Sequence, residues 1–147
     1  ALTGEQLVPF TEELEHIISF LELLQLRFGS ELDVRFDIAV KSFYLPTLTL
    51  QPLVENAVTY GVRKQREHVG VVTIQTREYP DHYEVSVSDN GPGFDPESIS
   101  EYDSERSHVG IFNVRERLKG VCGGELKIVS AIGKGATVTM ILPRETY

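Results

Sequence analysis

Apolar positions along this chain change period several times, and each change marks an element. Leu14, Ile17, Ile18, Leu21, Leu24 and Phe28 recur at helical spacing. They predict an amphipathic helix opening at Glu12, capped by Thr11 and stopped at Gly29. Residues 1–10 read as a weakly patterned lead-in, so 1–30 forms a lead-in helical segment. Leu32, Val34, Phe36 and Ile38 then alternate with charged residues, the period of a half-buried strand. Leu50, Leu53, Val54, Ala57 and Gly61 return to helical spacing, while Pro52, Asn56, Tyr60 and Arg63 fall on another stripe, facing away. Strands follow at 70–78 and 82–88, joined by a Pro80-Asp81-His82 turn. Residues 95–108 are polar, acidic and aperiodic, so they read as a mobile loop. A helix carrying Ile111, Val114, Leu118 and Val121 ends at Gly123-Gly124, and a hairpin of 125–130 and 136–142 closes the chain.

Helices and strands alternating over 147 residues, 41% of them hydrophobic, indicate one layered α/β domain, 1–147. A net charge of -8 argues against nucleic acid as a partner but leaves nucleotide binding open. The lone Cys122 excludes an internal disulfide and fits a reducing compartment. No apolar run approaches membrane-spanning length and no signal peptide is visible. The chain opens at Ala1 without a Met, so a piece of something longer is expected.

Four segments carry candidate chemistry. Asn56 is an amide on a helix flank: either a solvated residue or a ligand. Asp89-Asn90-Gly91-Pro92-Gly93-Phe94 runs off the end of a strand. It is either an ordinary strand-end turn or a site where Asp89 accepts from an exocyclic amino group, which distinguishes adenine from guanine. Gly110-Ile111-Phe112-Asn113 opens a helix, whose free N–H groups are suited to phosphates, although Ser107 or Asn113 would serve equally as a cap. Gly133-Lys134-Gly135-Ala136-Thr137 lacks P-loop spacing; its glycines read as a β-turn, with Thr137 still in reach of a ligand over the sheet. Histidines at 16, 68, 82 and 108 are too scattered for a metal cluster, and no Gly-x-Ser-x-Gly elbow occurs. His16 reads as a solvated surface residue, or as an exposed phosphate acceptor.

In order and spacing, these segments resemble the four boxes of the GHKL ATP-binding superfamily, which includes histidine kinases, DNA gyrase, mismatch-repair ATPases and a heat-shock chaperone. Leu-Gln-Pro-Leu-Val-Glu-Asn-Ala (50–57) is similar to the N box, and Asp89-x-Gly91-x-Gly93 to the first glycine box. The stretch 109–118 resembles the second and 133–137 the third. Gln51-Pro52-Leu53-Val54-Glu55-Asn56-Ala57, Asn113-Val114-Arg115-Glu116-Arg117-Leu118 and the segment from Glu13 to Gly29 resemble one branch, the LytS-like sensor histidine kinases.

The resemblance implies a Bergerat-type two-layer α/β sandwich: a mixed sheet with helices on one face, ATP in a cleft on the helical side, and residues 95–108 as the lid. It assigns Asn56 to Mg²⁺, a metal that prefers hard oxygen donors. Asp89 would receive the adenine amino group with Thr137 nearby, and Gly91 and Gly93 would let backbone approach the base. Gly110 and Ile111 would offer N–H groups to phosphates, with Tyr60 and His108 also at the nucleotide. His108 replaces the usual first glycine of its box. Pro52 occupies the position where many members carry Asn, Glu or His, so Glu55 becomes the candidate base polarising the attacking histidine, unless it is only a surface charge. Thr59 and Tyr60 replace a frequent basic pair, leaving phosphate neutralisation to Arg63, Lys64 or Arg66.

The branch's Asn-Pro-His-Phe-type phosphoacceptor motif does not occur in these 147 residues. The resemblance therefore implies the catalytic half of a two-component kinase, passing the γ-phosphoryl of Mg-ATP to a histidine on a separate dimerisation domain. The implied setting is the cytosolic portion of a membrane-anchored homodimer that signals through a response regulator. A GHKL ATPase driving dimer closure and a degenerate, non-catalytic interaction module are the alternatives.

Overall fold

The structure is a computed structural model that describes residues 6–62, 69–98 and 109–144. Its frame is a five-stranded mixed sheet in the order β2-β4-β5-β7-β6. The strands are β2 (Leu32–Ile38), β4 (Gly70–Glu78), β5 (His82–Asp89), β6 (Glu125–Ser130) and β7 (Ala136–Pro143). β2 runs parallel to β4, and the other neighbours are antiparallel. β4 and β5 form the expected hairpin, closed by the Tyr79 N–H donating to the His82 carbonyl at 2.8 Å.

Strand alternation divides the sheet into two unlike faces. Val72, Ile74, Val85, Val87, Val138, Met140 and Leu142 point to one side and are buried there. Helices α1 (Phe10–Phe28), α2 (Leu50–Asn56) and α3 (Val109–Cys122) cover that side and pack on one another, α2 against both α1 and α3. The other side carries Thr73, Gln75, Ser86, Ser88, Thr137 and Thr139, with hydroxyl pairs Ser86–Thr139 at 2.8 Å and Ser88–Thr137 at 3.0 Å. Burial on one face only is what sets this register, because a one-residue slip would bury the hydroxyl row. The two-layer α/β sandwich expected from the sequence is the fold observed.

The first ten residues contribute more than a lead-in. Leu7–Pro9 form a strand, β1, paired antiparallel with β3 (Tyr44–Pro46). The Phe10 N–H donates to the Phe43 carbonyl at 2.9 Å, so α1 begins at Phe10 behind Pro9, and Thr11 is not its cap. Pro9 is the residue before the helix, in extended conformation (ψ 139°), and gives α1 no side-chain cap. Phe10 and Phe43 are buried and stack at 4.8 Å between centroids; Phe43 stacks in turn on Tyr83 of β5 at 4.9 Å. Aromatic stacking of this kind adds to the burial of the rings themselves.

The buried arc of α1 is centred on Phe10, Ile17 and Leu21. That centring turns Ile18 outward and brings Glu13 inward, the reverse of the expected arrangement. Glu13 Oε1 accepts the Thr49 N–H at 3.3 Å, and the Thr49 hydroxyl donates to the Pro46 carbonyl at 2.8 Å. A carboxylate from a neighbouring helix thus satisfies the donor that opens α2, the task a capping-box glutamate performs within its own helix. Leu48, just before it, adopts φ 61°, a conformation that costs an L-residue about 1–2 kcal/mol. At the far end, α3 stops as expected: Gly123 has φ 67°, with N–H bonds from Gly123 to Lys119 and from Gly124 to Leu118.

Candidate functional site

Asn56, Tyr60, Asp89, Gly91 and Gly110 lie toward the helical side, where β5 ends beneath α2 and its continuation. Asp89 is the last residue of β5, in phase with Val85 and Val87, so its carboxylate points toward the helices. The following turn folds back, and the Gly91 N–H donates to Asp89 Oδ1 at 2.9 Å. Burial pushes the Asp89 carboxyl up from its ordinary 3.8 to about 6, against the smaller downward pull of that N–H. A half-buried acceptor with spare lone pairs is suited to an amino group.

Above it, α2 does not end at Asn56 but changes winding. Ala57–Val62 form a π-turn, a rare form that concentrates at functional sites. Asn56 is 8% exposed, so the amide belongs to the inward side and not to the outward stripe its spacing suggested, while Glu55 is exposed, as a surface charge would be. Glu55 accepts from Gln51 Nε2 at 2.9 Å. Tyr60 is half-buried, and Gly61 is buried against Asp89. Pro52 faces the start of α3, where a Cβ built on Gly110 would meet it at 3.6 Å.

The glycine turn is held between two backbones. A Cβ on Gly91 would lie 2.7 Å from the carbonyl carbon of Gly61, and one on Gly93 would lie 2.9 Å from the Gly135 oxygen. Gly93 also has φ 72°, so both space and conformation require glycine there. The Gly133 N–H donates to the Pro92 carbonyl, and Ser130 bridges the Phe94 N–H to the Gly135 carbonyl. Asn90 closes the other side, accepting from the Val71 N–H at 2.8 Å and donating to the Val69 carbonyl at 3.0 Å.

One further expectation needs correction. Thr137 does not accompany Asp89. It pairs with Ser88 on the polar face of the sheet, while its neighbour Ala136 pairs with Asp89 on the helical face. Strand alternation separates the two sides, so the third glycine box offers Ala136 to the cleft. Ile111 is fully buried in the core, as its helical spacing implied, so the expected phosphate contact falls to its backbone N–H alone. Gly110 and Ile111 do lie in the first turn of α3, where N–H groups lack helical partners. His108, the basic residues Arg63, Lys64 and Arg66, and all of the 95–108 loop beyond Ser98 lie outside the described residues. Within that loop, Pro96–Ser98 form a short 3-10 turn.

Gly61 and Asn90 were not marked as site residues from the sequence. A glycine closing an apolar stripe looks like any helix end, and Asn-Gly looks like any turn. Their signal is contact across the fold.

The fold places the chain among Bergerat-type sandwiches. The nucleotide-free catalytic domain of histidine kinase ThkA superposes with a TM-score of 0.73 at 16% identity, covering 93% of this chain and 94% of that one. The family model described as histidine kinase-, DNA gyrase B-, and HSP90-like ATPase matches residues 46–146. The chain belongs to that family. It is 41% identical over 137 residues to YwpD of Bacillus subtilis, covering 90% of this chain and 49% of the relative. It is 30% identical to the sensor histidine kinase YpdA of Escherichia coli, covering 98% of this chain and 26% of that protein. LytS of Oceanobacillus iheyensis is 28% identical, with 97% and 26% covered. The chain therefore spans about half of the first of these relatives and about a quarter of the sensor proteins.

Proposed function

We propose that this chain is the catalytic ATP-binding domain, 1–147, of a two-component sensor histidine kinase, with 1–30 as its lead-in and 95–108 as its lid. It holds Mg-ATP on the helical side of the sheet and presents the γ-phosphoryl to a histidine on a separate dimerisation domain. The observation that carries this reading is the half-buried Asp89 carboxylate, supported by the Gly91 N–H and facing the helices beneath the α2 π-turn. An acceptor in such a place recognises an exocyclic amino group and rejects a carbonyl, the difference between adenine and guanine.

Around it the chain's own residues divide the work. Gly91 and Gly93 leave the base room to touch backbone. The first turn of α3, with Gly110 and Ile111, offers N–H groups to phosphates. Among the described residues no group of three or more His, Cys, Asp or Glu could hold a metal alone. One hard oxygen donor from Asn56 fits Mg²⁺, which completes its shell with water and phosphate oxygens. When bound, it would neutralise developing charge on the transferred phosphoryl group. Glu55 is exposed at the helix surface, which suits a base that meets a docked histidine rather than one that acts inside the cleft. Tyr60 and His108 complete the nucleotide's surroundings in this reading. The intact protein would be a membrane-anchored homodimer with this domain in the cytosol, signalling through a response regulator.

The test is Mg-dependent stabilisation followed by transfer. ATP at about 100 times Kd should stabilise the domain by about 2.7 kcal/mol, and only with Mg²⁺ present. Phosphate should then appear on a histidine domain supplied in trans. Asn56→Ala, which removes the side-chain oxygen, should reduce that transfer at least roughly tenfold; a midpoint indifferent to Mg-ATP, or transfer unchanged in the variant, would refute the reading.

A further inference from the structure

Gly61 stands closer to Asp89 than its place in the sequence suggests. A Cβ built on Gly61 falls 2.5 Å from Asp89 Cβ and 2.6 Å from Oδ1, and its three nearest atoms all belong to that one side chain. On its other flank the Gly61 backbone meets Gly91, the residue whose N–H holds the same carboxylate. The Asp89 side chain is thus confined between a glycine that grips it and a glycine that touches it.

The π-turn explains how Gly61 comes to be there. In a continuous α-helix, residues 56 and 61 would be turned roughly 140° apart. An i→i+5 helix turns less per residue than an α-helix, so the winding of Ala57–Val62 brings Gly61 closer to the side on which Asn56 is buried.

We propose that Gly61 is a positioning residue for base selection: the π-turn delivers a position without a side chain against Asp89, and that absence keeps the carboxylate aimed where a purine amino group arrives. Gly61 need not contact the nucleotide. It acts through Asp89, so its loss removes discrimination at the purine 6-position rather than phosphate binding. This inference rests on the adenine-recognition reading above.

The experiment compares ATP with purine riboside triphosphate, which lacks the 6-amino group, by isothermal titration in the presence of Mg²⁺. The ratio of the two affinities does not depend on how much protein is folded. Wild type should prefer ATP roughly tenfold or more, the equivalent of one hydrogen bond to a charged group. Gly61→Ala should bring the ratio near one while purine riboside triphosphate still binds. A wild-type ratio near one would remove the adenine reading and this inference together. A high wild-type ratio that persists in Gly61→Ala would overturn the inference alone. If Gly61→Ala does not fold, Gly61→Ala with Asp89→Gly must restore folding, since the second change deletes the three atoms nearest the added Cβ. A double variant that stays unfolded would overturn the proposal.

Discussion

Replacing Asp89 by Asn should make the nucleotide-free domain more stable at neutral pH while weakening its hold on ATP. The amide keeps an oxygen for the Gly91 N–H, a 2.9 Å bond in the structure, and removes only the charge. That charge is held in the folded state against desolvation, which raises the carboxyl from 3.8 to about 6. The folded protein therefore binds this proton more tightly than the unfolded chain does. Stability from this group is greatest below pH 3.8, falls as pH rises through the window up to about 6, and stays low above it. The full shift would correspond to about 3 kcal/mol, which partial solvent contact reduces to about 1–2 kcal/mol. The assay is urea denaturation followed by far-UV circular dichroism, from about pH 7.5 down to about pH 4.5, on both proteins. Asp89→Asn should gain about 1–2 kcal/mol at the upper end, with the gap closing at the lower end. The other carboxylates titrate in both proteins and cancel in the difference. ATP affinity should fall roughly tenfold or more in the same variant. A variant less stable than wild type at neutral pH, or a gap that ignores pH, would show that burial is not what perturbs the carboxyl.

Two more outcomes follow from the packing. Glu13→Ala leaves the buried Thr49 N–H without its acceptor and should cost about 1–3 kcal/mol of unfolding free energy, whereas Glu13→Gln should retain most of it. Thr137→Val removes the hydroxyl pair with Ser88 on the polar face, so denaturation should show a loss of about 1 kcal/mol with no change in ATP affinity; weaker nucleotide binding would return Thr137 to the cleft.

The sequence made the sandwich legible because its periods are clean. Alternation over 70–78 and 82–88 fixed two central strands to within one residue, and helical spacing over 109–122 fixed α3. What it concealed has physical causes. Three-residue strands such as β1 and β3 are too short to show a period, so the pairing that buries Phe10 against Phe43 was invisible. The inward turn of Asn56 was hidden because α2 is buried over more of its circumference than its apolar stripe covers, Leu50, Leu53, Val54 and Asn56 all lying inward. Thr137 was misplaced by a single position, and in a strand one position is the whole difference between faces. Gly61 touches Asp89 across 28 residues of sequence, a relation no local pattern encodes.

The same contacts bear on how the site relates to the rest of the domain. α2 is gripped at both ends. Its first donor is satisfied by Glu13 from α1, and its π-wound continuation presses Gly61 against Asp89. Arg117 of α3 donates to the Thr47 carbonyl at 2.7 Å, and Pro52 abuts the first turn of α3 at Gly110. The helix carrying Asn56 therefore cannot shift without disturbing α1, α3 or the Asp89 turn. Close-packed elements move as units or change partners rather than deform. A displacement of α1 would have to break the buried Glu13–Thr49 bond or carry α2 with it, and α2 carries the two residues, Asn56 and Gly61, on which the proposed metal and base contacts depend.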